Sequence, residues 1–341
     1  MRSLTILAWA TSLFTAWAQN PPDSVRSFYI QEYPNHFFVW PVIKQRSLTF
    51  EVTDRDNRLR KIEFVPNNRF TMGLGMYVFD VLAELAFAVP LNEENTRLYG
   101  TTKARDWQVN ILSRKWGGDA YYQKYEGFYR KDSRVAIPAG MPFPQRPDLH
   151  TRNFGISGFY VFNHRRFSLR SSFNFADRQL RRQGSWIIYG TINAFSASED
   201  SVLIPPAARA DIGEGSDFTR LQYTTFGLAP GYSYNLIWRK FFLNGTLTAG
   251  PAHHWVSWRD AGQTLRRDIT INSTATLRLA LGYANNRWFC GTSFSTQARI
   301  VKFEGVRVSN NTNLFRLQVG FRFAEKGVLK KRAWDLLPFR F

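Results

Sequence analysis

The sequence predicts an all-β protein: an antiparallel transmembrane β-barrel of about twelve strands, with ten to fourteen left open. Three observations predict it. An export signal opens the chain. Period-two alternation of bulky apolar residues dominates the rest. Aromatic residues reach 16% while mean hydropathy stays at −0.32. A transmembrane barrel combines these because only alternate residues face lipid and aromatic girdles mark both interfaces.

The signal comes first. Arg2 supplies a positive n-region, Leu4 to Ala10 with Leu13 and Phe14 a short apolar core, and Ala16-Trp17-Ala18 the small residues that a signal peptidase reads. Residues 1–18 are therefore the expected signal peptide, cleaved near Ala18. Its apolar stretch falls short of the roughly 20 residues that a membrane helix needs. Cys290 is the only cysteine, so no intrachain disulfide can form and no lipid-modified cysteine stands near the cleavage site. A closed strand ladder is the alternative source of stability.

The mature chain divides into an N-terminal periplasmic segment at 19–46, a barrel domain at 47–323 and a basic tail at 324–341. Pro21, Pro22, Pro34 and Pro41 limit regular structure in the first of these. Residues 47–53 and 59–65 read as two strands around the turn sequence Asp54-Arg55-Asp56-Asn57. From Phe70 onward, Phe70, Met72, Leu74, Met76 and Val78 share one face. On the next strand Val81, Ala83, Leu85, Phe87 and Val89 oppose Asp80 and Glu84. Trp107, Val109 and Ile111 oppose Asp106, Gln108 and Asn110. Phe154, Ile156, Tyr160 and Phe162 continue the pattern, and so do Phe167, Leu169, Ser171, Phe173 and Phe175 with Arg170 opposite.

The C-terminal strands alternate most clearly. Phe241, Leu243, Leu247 and Ala249 form one apolar face. Residues 269–283 alternate over fifteen positions, with Thr276 and Arg278 opposite Leu279 and Leu281. Soluble strands average about 5–6 residues. Phe315, Leu317, Val319, Phe321 and Phe323 oppose Arg316 and Arg322.

Short connections at 163–166, 238–240 and 284–287, against long ones at 131–150, 198–217 and 258–267, fit the barrel habit of turns at one end and loops at the other. One inconsistency stands in this reading. Three strands fall between the turns at 163–166 and 238–240, where alternation of sides requires an even number. Either a strand is missed near 198–217 or one short turn faces outward. Two segments end in the aromatic of a barrel-assembly signal: Phe321-Arg322-Phe323 and the terminal Phe339-Arg340-Phe341.

Several strings, in order, resemble an uncharacterised family of outer-membrane β-barrels of the domain-of-unknown-function type. They are Val65-Pro66-Asn67 before Gly73 and Gly75, Gly127-Phe128-Tyr129, Gln183-Gly184-Ser185, Asp200-Ser201-Val202-Leu203-Ile204-Pro205, Gly231-Tyr232-Ser233-Tyr234 and Gly320-Phe321-Arg322-Phe323. The resemblance implies a barrel in the outer membrane and brings no activity with it.

The charge balance is 45 basic against 26 acidic residues, a net +19. Such a charge suggests an anionic partner. Export argues against nucleic acid and for outer-membrane lipids and lipopolysaccharide phosphates, with an anionic solute in a basic lumen as another candidate. The barrel-assembly machinery is an expected partner. Scattered basic residues that solvate loops and snorkel at the interface are the plainer account.

Phosphate-binding and dinucleotide glycine motifs are missing, and Gly73 and Gly75 lie in a strand pattern, where glycine marks a bend or close packing. His253-His254 is the one histidine pair, and adjacent strand positions point apart. No cofactor is expected. No catalytic constellation emerges from the spacing of His36, His150, His164, His253 and His254. The candidate lumenal binding residues are Arg170, Arg278, Arg316, Arg322 and Glu84. They predict a narrow channel or a closed envelope scaffold with a basic lumen. The alternative is a barrel enzyme acting on lipid or peptide substrates.

Overall fold

The computed structural model describes residues 24–327 apart from 58, 79, 80 and 214. The expected signal peptide, Asp80 and the tail beyond residue 327, with its terminal Phe341, lie outside the described residues.

Helix α1 (Ser24–Tyr29) and the short strand β1 (Ile30–Glu32) lead into the wall. The wall strands are β2 (His36–Asp54), β3 (Lys61–Val65), β4 (Thr71–Val78), β5 (Val81–Ala88), β6 (Lys103–Leu112), β7 (Trp116–Asp132) and β8 (Gln145–Val161), with α2 (Glu93–Tyr99) between β5 and β6. Helix α3 (Arg170–Phe173) and β9 (Asp177–Gln179) precede β10 (Gln183–Ser198). Helix α4 (Pro206–Ile212) precedes β11 (Arg220–Trp238), β12 (Phe241–Arg259), β13 (Leu265–Ala284), β14 (Trp288–Phe303) and β15 (Val306–Ala324).

Among the described residues thirteen strands join one antiparallel sheet, and it closes where β15 pairs β2 from Val306–Asp54 to Ala324–His36. Closure through β3 removes the edges that a bilayer would leave unsatisfied in the loop-end half of the wall. At the loop end the ring has ten strands, because β3 bridges β2 and β7. Toward the turn end β4 takes over from β3 beside β2, and β5 and β6 enter. Since β3 and β4 share one position, the thirteen strands fill twelve positions around the wall.

The alternation faces the way the sequence implies. Leu279 is 43% exposed on the outer wall, whereas Thr276 is buried inside at 4%. Trp116, Trp186, Trp238 and Trp288 stand outward near the turn end, and Trp107 and Trp255 stand outward nearer the loop end. Gly75 is required by packing: a Cβ there would lie 2.1 Å from the Trp40 ring.

Two expectations need correction. The wall starts at His36, so residues 36–46 belong to the barrel and not to a lead-in segment. Pro41 had argued otherwise. It is accommodated because the β15–β2 ladder skips Trp40 and Pro41, where proline has no N–H to give. The second correction removes the strand at 167–175. Its apolar residues bury, but against the inside of the barrel. Phe167, Leu169 and Phe175 are each at most 5% exposed, and Arg170–Phe173 is helical. Two strands, β10 and β11, then separate the turns after β8 and β11, and the parity conflict disappears. Among the described residues no strand is missed near 198–217, where α4 lies.

Both ends of the lumen are filled. At the loop end, residues 199–219 fold inward, and Leu203, Ile204, Ala208, Ile212 and Phe218 join Leu48, Phe50, Phe64, Trp258 and Phe303 in one buried apolar cluster. The inner face there is apolar, where alternation had suggested a wet polar lumen. At the turn end, residues 162–182 fold in, with β9 pairing β1. Phe175 stacks on Phe289 at 4.4 Å in a second apolar cluster.

Candidate functional site

Between the two plugs lies a polar layer. Four of the five predicted lumenal residues point into the barrel from wall strands, but they form no single constellation. Arg316 of β15 donates to Glu84 of β5 at 2.7 Å, and Lys44 of β2 reaches the same carboxylate at 3.2 Å. Trp40 Nε1 donates to its other oxygen at 3.2 Å. Arg278 lies elsewhere, with Nη2 3.1 Å from the Tyr189 hydroxyl and 3.4 Å from Asp119 Oδ2. Arg322 is buried at the turn end. It donates to the carbonyls of Asn285 and Phe175 at 2.6 and 2.8 Å and packs on the rings of Tyr33 and Phe289.

Arg170 is the exception. It sits on α3 inside the turn-end plug, 3.7 Å from Asp177. Arg26 of α1 donates to that carboxylate at 3.0 Å and to Glu32 at 2.6 Å. Ser168 donates to Asp177 at 2.6 Å. The plug is thus tied by charge to the segment that precedes the wall. Removing one partner from such a buried set strands the others.

Sequence reasoning missed Arg46, Asp119 and Arg299. Arg46 donates to Asp106 and Gln108 of β6. Arg299 is the most enclosed cation among the described residues at 1% exposure, and it donates to Tyr121 at 2.5 Å and Gln297 at 2.9 Å. Below it Asn153 donates to Gln123 and Asn193 donates to Asn153, each at 2.7 Å. The available signal was parity: Gln297 and Arg299 alternate with outward residues on β14. Asp119 lay in a stretch with too many glycines and tyrosines on both faces to read. His254 is buried, with Nδ1 2.8 Å from Thr225 Oγ1, and His253 stacks edge-on against Trp255. The two histidines point to opposite faces, so they cannot share one ion.

One wall feature was not foreseen. Among the described residues β5 pairs only with β4, and β6 only with β7. The turn-end half of the wall therefore has a seam. Its inner lips are Glu84 and Asp106, and both are held by β2, through Lys44 and Arg46. Its outer lips are exposed apolar residues, including Phe87 and Trp107. Where β3 crosses above, Asn67 seals the top, donating Nδ2 to the Gly100 carbonyl and its backbone N–H to Thr102 Oγ1, both at 2.7 Å.

The family described as Domain of unknown function (DUF4421) matches residues 21–323. No curated protein matches the chain. Among solved structures, the attachment invasion locus protein Ail of Yersinia pestis is similar over 85% of this chain and 99% of its own, at 11% identity and a TM-score of 0.23. OmpT, an outer membrane protein of Vibrio cholerae, is similar over 84% and 97%, at 9% identity and 0.26. The translocator domain of autotransporter NalP from Neisseria meningitidis is similar over 94% and 95%, at 8% identity and 0.32. Scores this low carry no argument about this chain.

Proposed function

The chain belongs to the DUF4421 family, and on that premise we propose that it is a plugged, non-conducting barrel of the outer membrane that serves as an envelope scaffold. The observation that carries this reading is the double closure of the lumen. Apolar side chains of 199–219 fill the loop end, and 162–182 fills the turn end. The charges between them are largely spent on each other, as in Arg316–Glu84 and Arg278–Asp119. A selective pore needs a continuous wet path lined by charge. Chain segments occupy both approaches to such a path here.

Cleavage after Ala18 and insertion by the barrel-assembly machinery belong to the same reading. So does contact of the outer wall with lipid. The planar bilayer tests it. Protein that migrates faster unheated than boiled should give no steady current in a salt gradient. A stable anion-selective conductance that falls in Arg278→Ala would replace the scaffold with the channel.

A further inference from the structure

The outer wall carries a groove of about 620 Å3 near the loop end, across β7, β8, β10, β11, β12 and β13. A barrel exterior is ordinarily convex. Here β13 pairs β14 only from Thr274 downward, so its stretch from Leu265 to Ser273 pairs with β12 alone and forms one bank. Paired neighbours across the strands give the groove two rows. The lower row is Tyr122, Phe154, Ala194, Thr224, Trp255 and Ile269. The next outward row is Arg152, Ser196, Gln222, Ser257 and Arg267.

The lower row is mostly apolar and continues the lipid-facing wall below it, where Ile156, Ile192 and Phe226 are exposed. The upper row is basic at its two ends and small or amide-bearing between. Lys124 extends it beyond Arg152. The lumenal arginines just described mostly hold carboxylates. In contrast, Lys124, Arg152 and Arg267 have no ion-pair partner among the described residues. Asp268 also lines the groove, but its Oδ1 accepts the Ile269 N–H at 2.7 Å.

We propose that this groove binds a membrane lipid whose headgroup carries two phosphates, with acyl chains against Tyr122 and Phe154 and phosphates at Arg152 and Arg267. Charge and continuity with the lipid-facing wall select the class. Four strand spacings of about 4.8 Å put the two arginines roughly 19 Å apart along the wall, so one phosphate cannot touch both banks. Strand tilt makes a paired row climb around the barrel. The groove therefore runs obliquely from the apolar band toward the loops, the course of a lipid whose headgroup rises out of the bilayer. The inference rests on the reading of the chain as a membrane barrel.

The test uses the full mature chain in detergent micelles, with bound lipid read by native mass spectrometry. Bisphosphorylated lipid A should be retained at one copy per barrel. Monophosphorylated lipid A and phosphatidylethanolamine should each be retained at least tenfold less. R152Q/R267Q should lower retention of the bisphosphorylated lipid at least tenfold, and A194W, which fills the floor but keeps the charges, should lower it too. Equal retention by R152Q/R267Q and wild type overturns the site. So does equal retention of one-phosphate and two-phosphate lipids, or displacement by millimolar inorganic phosphate, which would make the groove a free-phosphate site. Heat-modifiable migration is checked for every variant. If wild type itself lacks it, the barrel reading fails, an outcome distinct from loss in the variants alone.

Discussion

Arg316 on β15 and Glu84 on β5 meet at 2.7 Å inside the barrel, with β2 and β4 between their strands in the wall. Lys44 shares the carboxylate, so one acid holds two cations. Glu84→Ala leaves both unpaired in a largely enclosed place. Breaking such a set from one side costs about 3–5 kcal/mol. Replacing the pair with apolar residues, as in Glu84→Leu with Arg316→Met, should cost less than Glu84→Ala alone. Denaturant unfolding of micelle-embedded protein measures both. A double variant weaker than the single would show that the pair does more than cancel charge.

Depth along one face gives a second prediction. Leu279 and Leu265 both face outward on β13, but Leu265 stands at the loop end. An arginine on the lipid face costs about 2–4 kcal/mol at the midplane and about 0–1 near the interface. Leu279→Arg should therefore impair folding into vesicles strongly, and Leu265→Arg scarcely at all. Equal tolerance at the two positions would mean that the membrane does not cross β13 where its apolar face implies.

The outward half of the fold was legible because one rule, apolar residues at every second position, runs through the long wall strands. Met72, Ile156, Leu279 and Phe321 all obey it. The lumen was not legible, because two plugs impose their own patterns there. Leu203 and Ile204 read as loop residues, since nothing local shows that the barrel mouth lacks an apolar filling. Phe167 to Phe175 read as a strand, since burial against the inner wall leaves the same alternation as burial in lipid. Parity alone placed Arg278, Arg316, Arg322 and Glu84 on inward faces. Asp119, the partner of Arg278, was not found, because pairing across a barrel depends on register and not on sequence distance.

Glu199 begins the loop-end plug and contacts Arg146, which also binds Asp148. Burial pushes the Glu199 carboxyl up to about 8, against the pull of Arg146, with Asp148 and Asp200 adding to the rise and Arg130 opposing it. A carboxyl whose folded pKa is raised favours the fold while it is protonated. Its contribution is present below its ordinary range near pH 4.5 and is lost as pH rises through about 8. The plug should therefore loosen progressively between about pH 4.5 and 8, with little further change above that. Hydrogen exchange of residues 199–219 should speed up severalfold over that interval beyond the intrinsic pH effect. Glu199→Gln should remove the excess. An excess that persists in Glu199→Gln would place the pH dependence elsewhere.

The seam between β5 and β6 makes the last prediction. Edge strands left open in hydrocarbon leave backbone donors and acceptors unsatisfied, at several kcal/mol each. The lips therefore need a reason to stay apart. The structure offers one in Lys44 and Arg46, which hold Glu84 and Asp106 to β2 from inside. Disulfides report the separation directly, since they need Cα atoms about 4.4–6.8 Å apart. In a Cys290→Ser background, Val109→Cys with Ala120→Cys joins paired neighbours on β6 and β7 and should cross-link readily. Leu85→Cys or Phe87→Cys, combined with Trp107→Cys, Val109→Cys or Ile111→Cys, should cross-link slowly or not at all. Adding Arg46→Gln should raise cross-linking across the seam, because Asp106 then loses its tether to β2. Fast cross-linking across the seam in the otherwise unaltered protein would show that β5 and β6 close into an ordinary ladder in the membrane.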